Sequence, residues 1–356
     1  MKNYDFKALI FCLMFLVTFQ ACKKDNNTSS EILDYRNCVF VSNEGPFSSG
    51  TGTISFKSLV NDRVENEIFQ KVNNRPLGNI VQSIEVYNDL AYIIVNNLNK
   101  VEVVNAKTFL SIATIEDIVL PRYFLGISDS KAYISSWDNV VAVVDLNTNS
   151  VIKQLPTGTG PERMIKVNNK VFVLNQGAYS IDSVLTIIDC EADTVLENRV
   201  IGEKPSGIQV DKNNNLWIMC SGKGWNGIPD TSNTHGKLVC IDVNNYSIIK
   251  EFIFPSIESH PEKLIINSEA DVLFYNYPGG IYRMEIGDNI LPQSPFIQRD
   301  NFFYALAFDK IFNRIYGADA LDYVQNGIVF SYNADLGTPV DSFNVGIIPG
   351  DFCFYY

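Results

Sequence analysis

A loose repeat of roughly 40 to 55 residues runs through the chain and constrains its fold more than any other feature. Each copy reads as an apolar strand, a tight turn and a second strand ending near Asn, followed by an aliphatic strand ending near Asp. The clearest copy is PERMIKVNNKVFVLNQG (Pro161 to Gly177), followed by VLTIID (Val184 to Asp189) and DTVLENRVIG (Asp193 to Gly202). PSGIQVDKNNNLWIMCSG (Pro205 to Gly222) repeats it and leads to KLVCIDVNNYSIIKEFIF (Lys237 to Phe254). Further copies begin near Ser83, Pro121, Pro261 and Tyr304. A set of such units, each with strand faces that it cannot bury alone, predicts a ring of similar sheets, an all-β propeller.

The ends supply the remaining unit. CVFVSNEG (Cys38 to Gly45) matches a second strand with no first strand before it, and PGDFCFYY (Pro349 to Tyr356) matches a first strand with nothing after it. If the last strand joins the sheet begun by the N-terminal strands, the ring closes with seven blades and leaves no open edge. Segments such as YIIV (Tyr92 to Val95) and VVAVVD (Val140 to Asp145) carry the β-branched and aromatic residues that suit a pleated, half-buried surface. Asn88-Asp89, Asn168-Asn169 and Asn213-Asn214-Asn215 stand where a hairpin must turn, and Asn tolerates the left-handed backbone that such turns need. Asp211 to Asn215 superficially resembles a calcium loop, but it lacks the glycine and glutamate that such a loop requires at its sixth and twelfth positions, so a plain hairpin is expected.

Residues 33–356 are expected to form the propeller, preceded by two short segments. Lys2 and Lys7 flank a polar start, and ALIFCLMFLVTF (Ala8 to Phe19) is a hydrophobic run too short to span a bilayer comfortably, which predicts a signal peptide over residues 1–21. Phe19-Gln20-Ala21-Cys22 resembles a bacterial lipobox with Cys22 as the lipidated residue, although Phe19 replaces the usual aliphatic side chain; simple secretion is the alternative. Residues 22–32 then read as a polar, flexible tether. Of the seven cysteines, five remain in the propeller with no C-x-x-C spacing, so no zinc site is expected. Cys38 and Cys353 fall on the strands that would close the ring, where a disulfide is one option and buried thiols the other. A net charge of −12 without a basic cluster argues against nucleic acid or an anionic membrane surface as partner.

Catalytic signatures are lacking. The two histidines, His235 and His260, fit no metal-ligand pattern, and the chain has no nucleophile elbow, P-loop or dinucleotide fingerprint. A surface or loop-anchoring role is expected of both histidines, with His260 as a remote candidate for a cobalt ligand. The 40 acidic residues leave open a carboxylate pair meeting at the ring's centre, as in a glycoside hydrolase or a polysaccharide lyase, but no local signature selects one.

The loops carry more information. In a propeller, the loops leading into the first strands and those joining second to third strands emerge on one face, which here is aromatic and amide-rich. The former carry Arg75, Asn79, Arg122, Tyr123, Glu162, Arg163, Lys204, Ser206, His260, Asn301, Phe302 and Tyr304. The latter carry Asn43, Glu44, Phe47, Asn97, Trp137, Asn175, Gln176, Tyr179, Trp225, Tyr277, Asp319 and Tyr323. Aromatic area beside amides and hydroxyls suits a concave site for a large, partly apolar molecule with polar edges. The expected ligand-binding set is Asn43, Glu44, Arg122, Tyr123, Trp137, Arg163, Asn175, Gln176, Tyr179, Ser206, Trp225, Tyr277, Asn301, Tyr304 and Tyr323. No metal site and no catalytic cofactor are expected.

The strands VFVSN, YIIVN and VFVLN, each followed by VVD, IID or CID, resemble the YVTN-type propellers over essentially all of Cys38 to Tyr356. With the lipobox, the early SNEG segment and the closing strand, the chain is more similar to the propeller lipoproteins of Bacteroidetes, among them surface proteins that bind corrinoids. That resemblance implies a non-enzymatic, lipid-anchored cap on the outer membrane, exposed at the cell surface. It would capture cobalamin or another corrinoid and pass it to a TonB-dependent transporter. A propeller binding a glycan or peptide, a polysaccharide lyase or hydrolase, and a structural adhesin are the alternatives.

Overall fold

The computed structural model describes residues 34–47, 50–226 and 228–356. The proposed signal segment, Cys22 and the tether lie outside the described residues. Residues 33–356 form one compact unit. Seven four-stranded antiparallel sheets make a β-propeller, as the repeat predicts. We number the blades by sequence: blade 1 spans residues 81–115, blade 2 121–156, blade 3 161–200, blade 4 205–253, blade 5 262–298 and blade 6 305–347. Blade 7 is composite. Its inner strand is Pro349–Tyr355, and Cys38–Asn43, Thr53–Ser58 and Val64–Glu65 follow outward.

The hydrophobic pattern explains the ring. A middle strand such as Lys170–Asn175 or Leu90–Val95 is buried on both faces, because its side chains alternate between the two neighbouring blades. Alternation therefore yields seven separate cores, one at each junction between blades. The junction between blades 7 and 1 is strongly aromatic, with Tyr35, Phe40, Phe56, Phe69 and Phe109 buried together. Each such side chain contributes about 1.5–3 kcal/mol by leaving water. Asn88 and Asp89 both take positive φ, 50° and 59°, as a tight hairpin turn demands.

Closure follows from the register of the last strand. Pro349–Tyr355 runs antiparallel to Cys38–Asn43, with Phe40 opposite Cys353 and Cys38 opposite Tyr355. The two thiols are therefore diagonal; both are free and buried. The Cys353 sulfur accepts a hydrogen bond from the Val86 amide of blade 1 at 3.2 Å. The tail is tied to both neighbours: the Tyr355 hydroxyl donates to Asp89 at 3.1 Å and the Tyr356 hydroxyl to Asp309 at 2.8 Å. Asp211, at the calcium-like turn, faces inward and accepts from the Asn213 and Asn215 amides and from Trp217 Nε1 at 2.9 Å, so a hairpin occupies the segment. Among the described residues no helix is long and apolar enough to cross a membrane, and no group of three metal-ligating side chains is present.

Candidate functional site

The inner strands ring a central channel, and a recurrent irregularity decides what that channel presents. In blades 1, 2, 3, 4, 5 and 7 the register between first and second strand slips one or two residues from the start of the first strand. In blade 3, for example, Pro161 faces Asn175 and Met164 faces Val173, so Glu162 and Arg163 together oppose Leu174. Such a bulge re-aims side chains at the rim of a sheet. Here it turns Gln82, Arg122, Tyr123, Glu162, Arg163, Ser206, Lys263 and Asp351 into the mouth of a cavity of about 1400 Å³. The loops add Glu44, Trp137, Gln176, Tyr179, Lys204 and Trp225.

One side of this bowl is held by paired charges. Arg122 of blade 2 donates to Glu162 of blade 3 at 3.0–3.1 Å, stacks 4.0 Å from the Trp137 ring and also donates to the Gln82 side chain. Trp137 Nε1 donates to the same Glu162 oxygen at 2.8 Å. Arg163 reaches across the channel to Asp351 of blade 7 at 2.7 Å and lies 4.4 Å from the Tyr123 ring. Burial pushes the Tyr123 hydroxyl up to about 12. The Tyr304 hydroxyl donates to Glu44 at 3.0 Å, and Gly350 leaves the space for that carboxylate, since a β-carbon there would approach Glu44 Oε1 to 3.0 Å. Burial raises the pKa of Glu44, against the pull of the Tyr304 hydrogen bond. Deeper in the channel Glu85 is exposed to the lumen but ringed by protein. That burial, with the Asp351 carboxylate, pushes its pKa up to about 7 against the pull of Arg163.

Aromatic side chains crown the rim. Tyr179 is 86% exposed and meets Trp137 edge-on at 5.2 Å, while Trp225 is 70% exposed and lies under the Lys204 ammonium at 4.5 Å. Tyr323 packs edge-on against Tyr304 at 5.8 Å, outside the cavity lining.

Of the residues expected from sequence, Glu44, Arg122, Tyr123, Trp137, Arg163, Gln176, Tyr179, Ser206, Trp225 and Tyr304 line this one cavity. Asn43 and Asn175 do not. Both are buried, and their amides donate inside the blade, Asn43 to Ser55 Oγ and Asn175 to Thr186 Oγ1, each at 2.9 Å. In blades 7 and 3 the strand-ending Asn is thus a clasp between second and third strands, whereas Asn96 and Asn276 donate to the Pro121 and Phe303 carbonyls at the entry to the next blade. Tyr277 packs between Phe254 and Tyr282 in blade 5, and Asn301 is an exposed residue away from the cavity lining. His260 is 1% exposed, with Nδ1 on the Ser221 carbonyl at 2.8 Å and Gly224 packed over Nε2, so the ring anchors the 221–237 loop and does not reach the bowl as a cobalt ligand would have to. Gln82, Glu85, Lys263 and Asp351 escaped the sequence reading. For Lys263 and Asp351 the signal that could have found them is the second position after a strand-opening Pro, Pro261 and Pro349, where the bulges fall; Gln82 and Glu85 follow no such Pro.

Residues 37–345 match the family described as "Domain of unknown function (DUF5074)". The chain belongs to that family. No curated protein matches it. The DUF5074 propeller is similar in structure to a quinonprotein alcohol dehydrogenase-like protein from Bacteroides thetaiotaomicron, with 14% identity, a TM-score of 0.65 and coverage of 90% of this chain and 78% of that one. It is also similar to Kuenenia stuttgartiensis hydrazine synthase, with 13% identity, a TM-score of 0.58 and coverage of 76% and 88%. A third similar structure is the computationally designed Ika8 protein, with 11% identity, a TM-score of 0.57 and coverage of 87% and 88%. Identities this low speak for the shared fold alone.

Proposed function

We propose that this DUF5074 propeller is a binding protein that captures a corrinoid in the bowl of its loop-bearing face and performs no chemistry on it. The observation that carries this reading is the size and lining of the cavity. About 1400 Å³ exceeds the span of ordinary small-molecule pockets, and its rim offers Trp137, Tyr179 and Trp225 above a floor of amide and charged groups. A corrinoid is large and flat, with carboxamide arms around its edge, so aromatic area and amide-pairing groups suit it together. The pairing of Arg122 with Glu162 and of Arg163 with Asp351 favours a rigid recognition surface. Lipid attachment at Cys22, a place on the outer-membrane surface and delivery to a TonB-dependent transporter complete the proposal and rest on the sequence resemblance. Titrating residues 33–356 with cyanocobalamin tests the ligand: saturable binding at micromolar protein or tighter is expected, and the absence of heat and of any optical change would remove it.

A second reading has one observation in its favour. The half-buried Glu44–Tyr304 pair places a carboxyl of raised pKa against a phenol, the parts of an acid–base couple in a polysaccharide lyase. Unsaturated sugar products released from acidic polysaccharides, and lost in Tyr304→Phe, would support it over capture alone.

A further inference from the structure

The bowl is electrostatically lopsided. On the side of blades 1, 2, 3 and 7 the arginines are paired with carboxylates, whereas on blades 4 and 5 three cavity-lining lysines, Lys204, Lys223 and Lys263, outnumber the lining carboxylates Asp230 and Glu262, and among the described residues none of the three forms a salt bridge. Two of them are held in place by rings. Lys204 Nζ lies 4.5 Å from the Trp225 ring and Lys263 Nζ 5.4 Å from the Tyr304 ring, so aromatic faces keep both ammonium groups at the cavity wall. Lys204 also donates to the Gly224 carbonyl at 3.4 Å, and its partial burial lowers its pKa against the pull of Glu262.

The backbone makes the same point independently. Lys204 and Lys263 both take a left-handed backbone, φ 52° and 59°, and Lys263 does so alone among the bulge residues that open the inner strands. A left-handed backbone is cheap for Gly or Asn and costly for Lys, and strain of this kind collects at ligand-holding positions. A lysine stands in the left-handed position, directed into the bowl.

We infer that Lys204 and Lys263, with Lys223 on the overlying loop, form a subsite for a phosphoryl group of the ligand, flanked by Trp225 and Tyr304. Two chemical reasons favour phosphate over carboxylate. The forked donors that grip a carboxylate belong to Arg122 and Arg163, which Glu162 and Asp351 already engage. Lysines bind phosphate as separate point charges, and two or three of them can each meet a different oxygen of the group. The inference deepens the corrinoid reading, since a nucleotide-bearing corrinoid carries a phosphodiester and a cobinamide does not, but it does not depend on that reading.

Calorimetric titration of residues 33–356 with inorganic pyrophosphate tests it. The expected result is saturable binding that weakens about tenfold or more in Lys204→Gln/Lys263→Gln, with Lys310→Gln, at the other end of the channel, unchanged. No binding by the unaltered protein, or equal binding by the double variant, overturns the subsite. Cyanocobalamin and dicyanocobinamide form the second arm. If both bind, the double variant should weaken cobalamin alone, and equal weakening of both contradicts the assignment. If neither binds while pyrophosphate does, the subsite stands and the corrinoid reading falls.

Discussion

Removing Glu162 should destabilise the propeller in a way that removing its partner as well repairs. The carboxylate is buried and accepts from Arg122 at 3.0–3.1 Å and from Trp137 Nε1 at 2.8 Å. Glu162→Ala leaves the Arg122 guanidinium, whose side chain is only 13% exposed, with the neutral Gln82 as its remaining hydrogen-bonded side chain, and it strands the indole N–H. Breaking one side of such a buried pair costs about 3–5 kcal/mol, and we take the lower end, about 3, because the guanidinium borders the water of the bowl. With an unfolding entropy of about 2.1 cal/mol/K per residue, some 320 residues give roughly 0.7 kcal/mol/K, so Tm should fall by about 4 °C. Arg122→Leu/Glu162→Leu removes both charges and should recover most of that loss, because an apolar pair of similar volume escapes the desolvation penalty. Scanning calorimetry of Glu162→Ala, of the singles Arg122→Leu and Glu162→Leu, and of the double decides it. Additive losses, or a Glu162→Ala protein that melts with the unaltered one, would refute the claim that the pair is one electrostatic unit.

Three further outcomes follow from particular side chains. Glu85 has a folded pKa raised to about 7, above its unfolded value, so the protein binds this proton more tightly when folded. Stability should therefore fall as pH rises from about 4.5 to 7, and Glu85→Gln should melt higher than the unaltered chain at pH 8 and match it near pH 4; the opposite ordering in melting curves would contradict the assignment. Trp225→Ala and Tyr179→Ala should each weaken cyanocobalamin binding about tenfold, a loss of about 1.4 kcal/mol, while Tyr277→Ala should lower Tm and leave affinity unchanged by titration. Asn175→Ala leaves buried acceptors without their donor and should cost about 1–3 kcal/mol in denaturant unfolding, with no effect on ligand affinity.

The blades were legible because a propeller's stability is written locally: every unit must carry its own alternation and turn residues, and most open a strand on Pro, so the copies resemble one another in sequence. Even the closure could be read, since CVFVSN and PGDFCFYY each lacked a complement that the other supplied. The bowl was legible only in part. Trp137, Tyr179 and Trp225 announced themselves as aromatics in loops, whereas Asn43 and Asn175 look the same in sequence as loop amides. What separates them is the hydrogen bonding of Asn43 to Thr53 and Ser55 and of Asn175 to Val184 and Thr186. Lys263 and Asp351 were hidden for another reason. Strand alternation alone does not say which residue after a Pro enters the channel, because the bulge inserts an extra residue and resets the face. Tyr277 shows the converse, an aromatic at a loop position that neighbouring rings Phe254 and Tyr282 draw into the blade.

Hydrogen–deuterium exchange with and without cyanocobalamin tests the central claim, that the loop-bearing mouth of the ring is where the ligand is held. The account predicts protection in residues 120–123, 176–181, 204–206, 223–226 and 262–264, and none in the hairpin turns at Asn88-Asp89 and Asn168-Asn169 at the opposite end. Protection confined to those turns, or no change anywhere at saturating ligand, would contradict it.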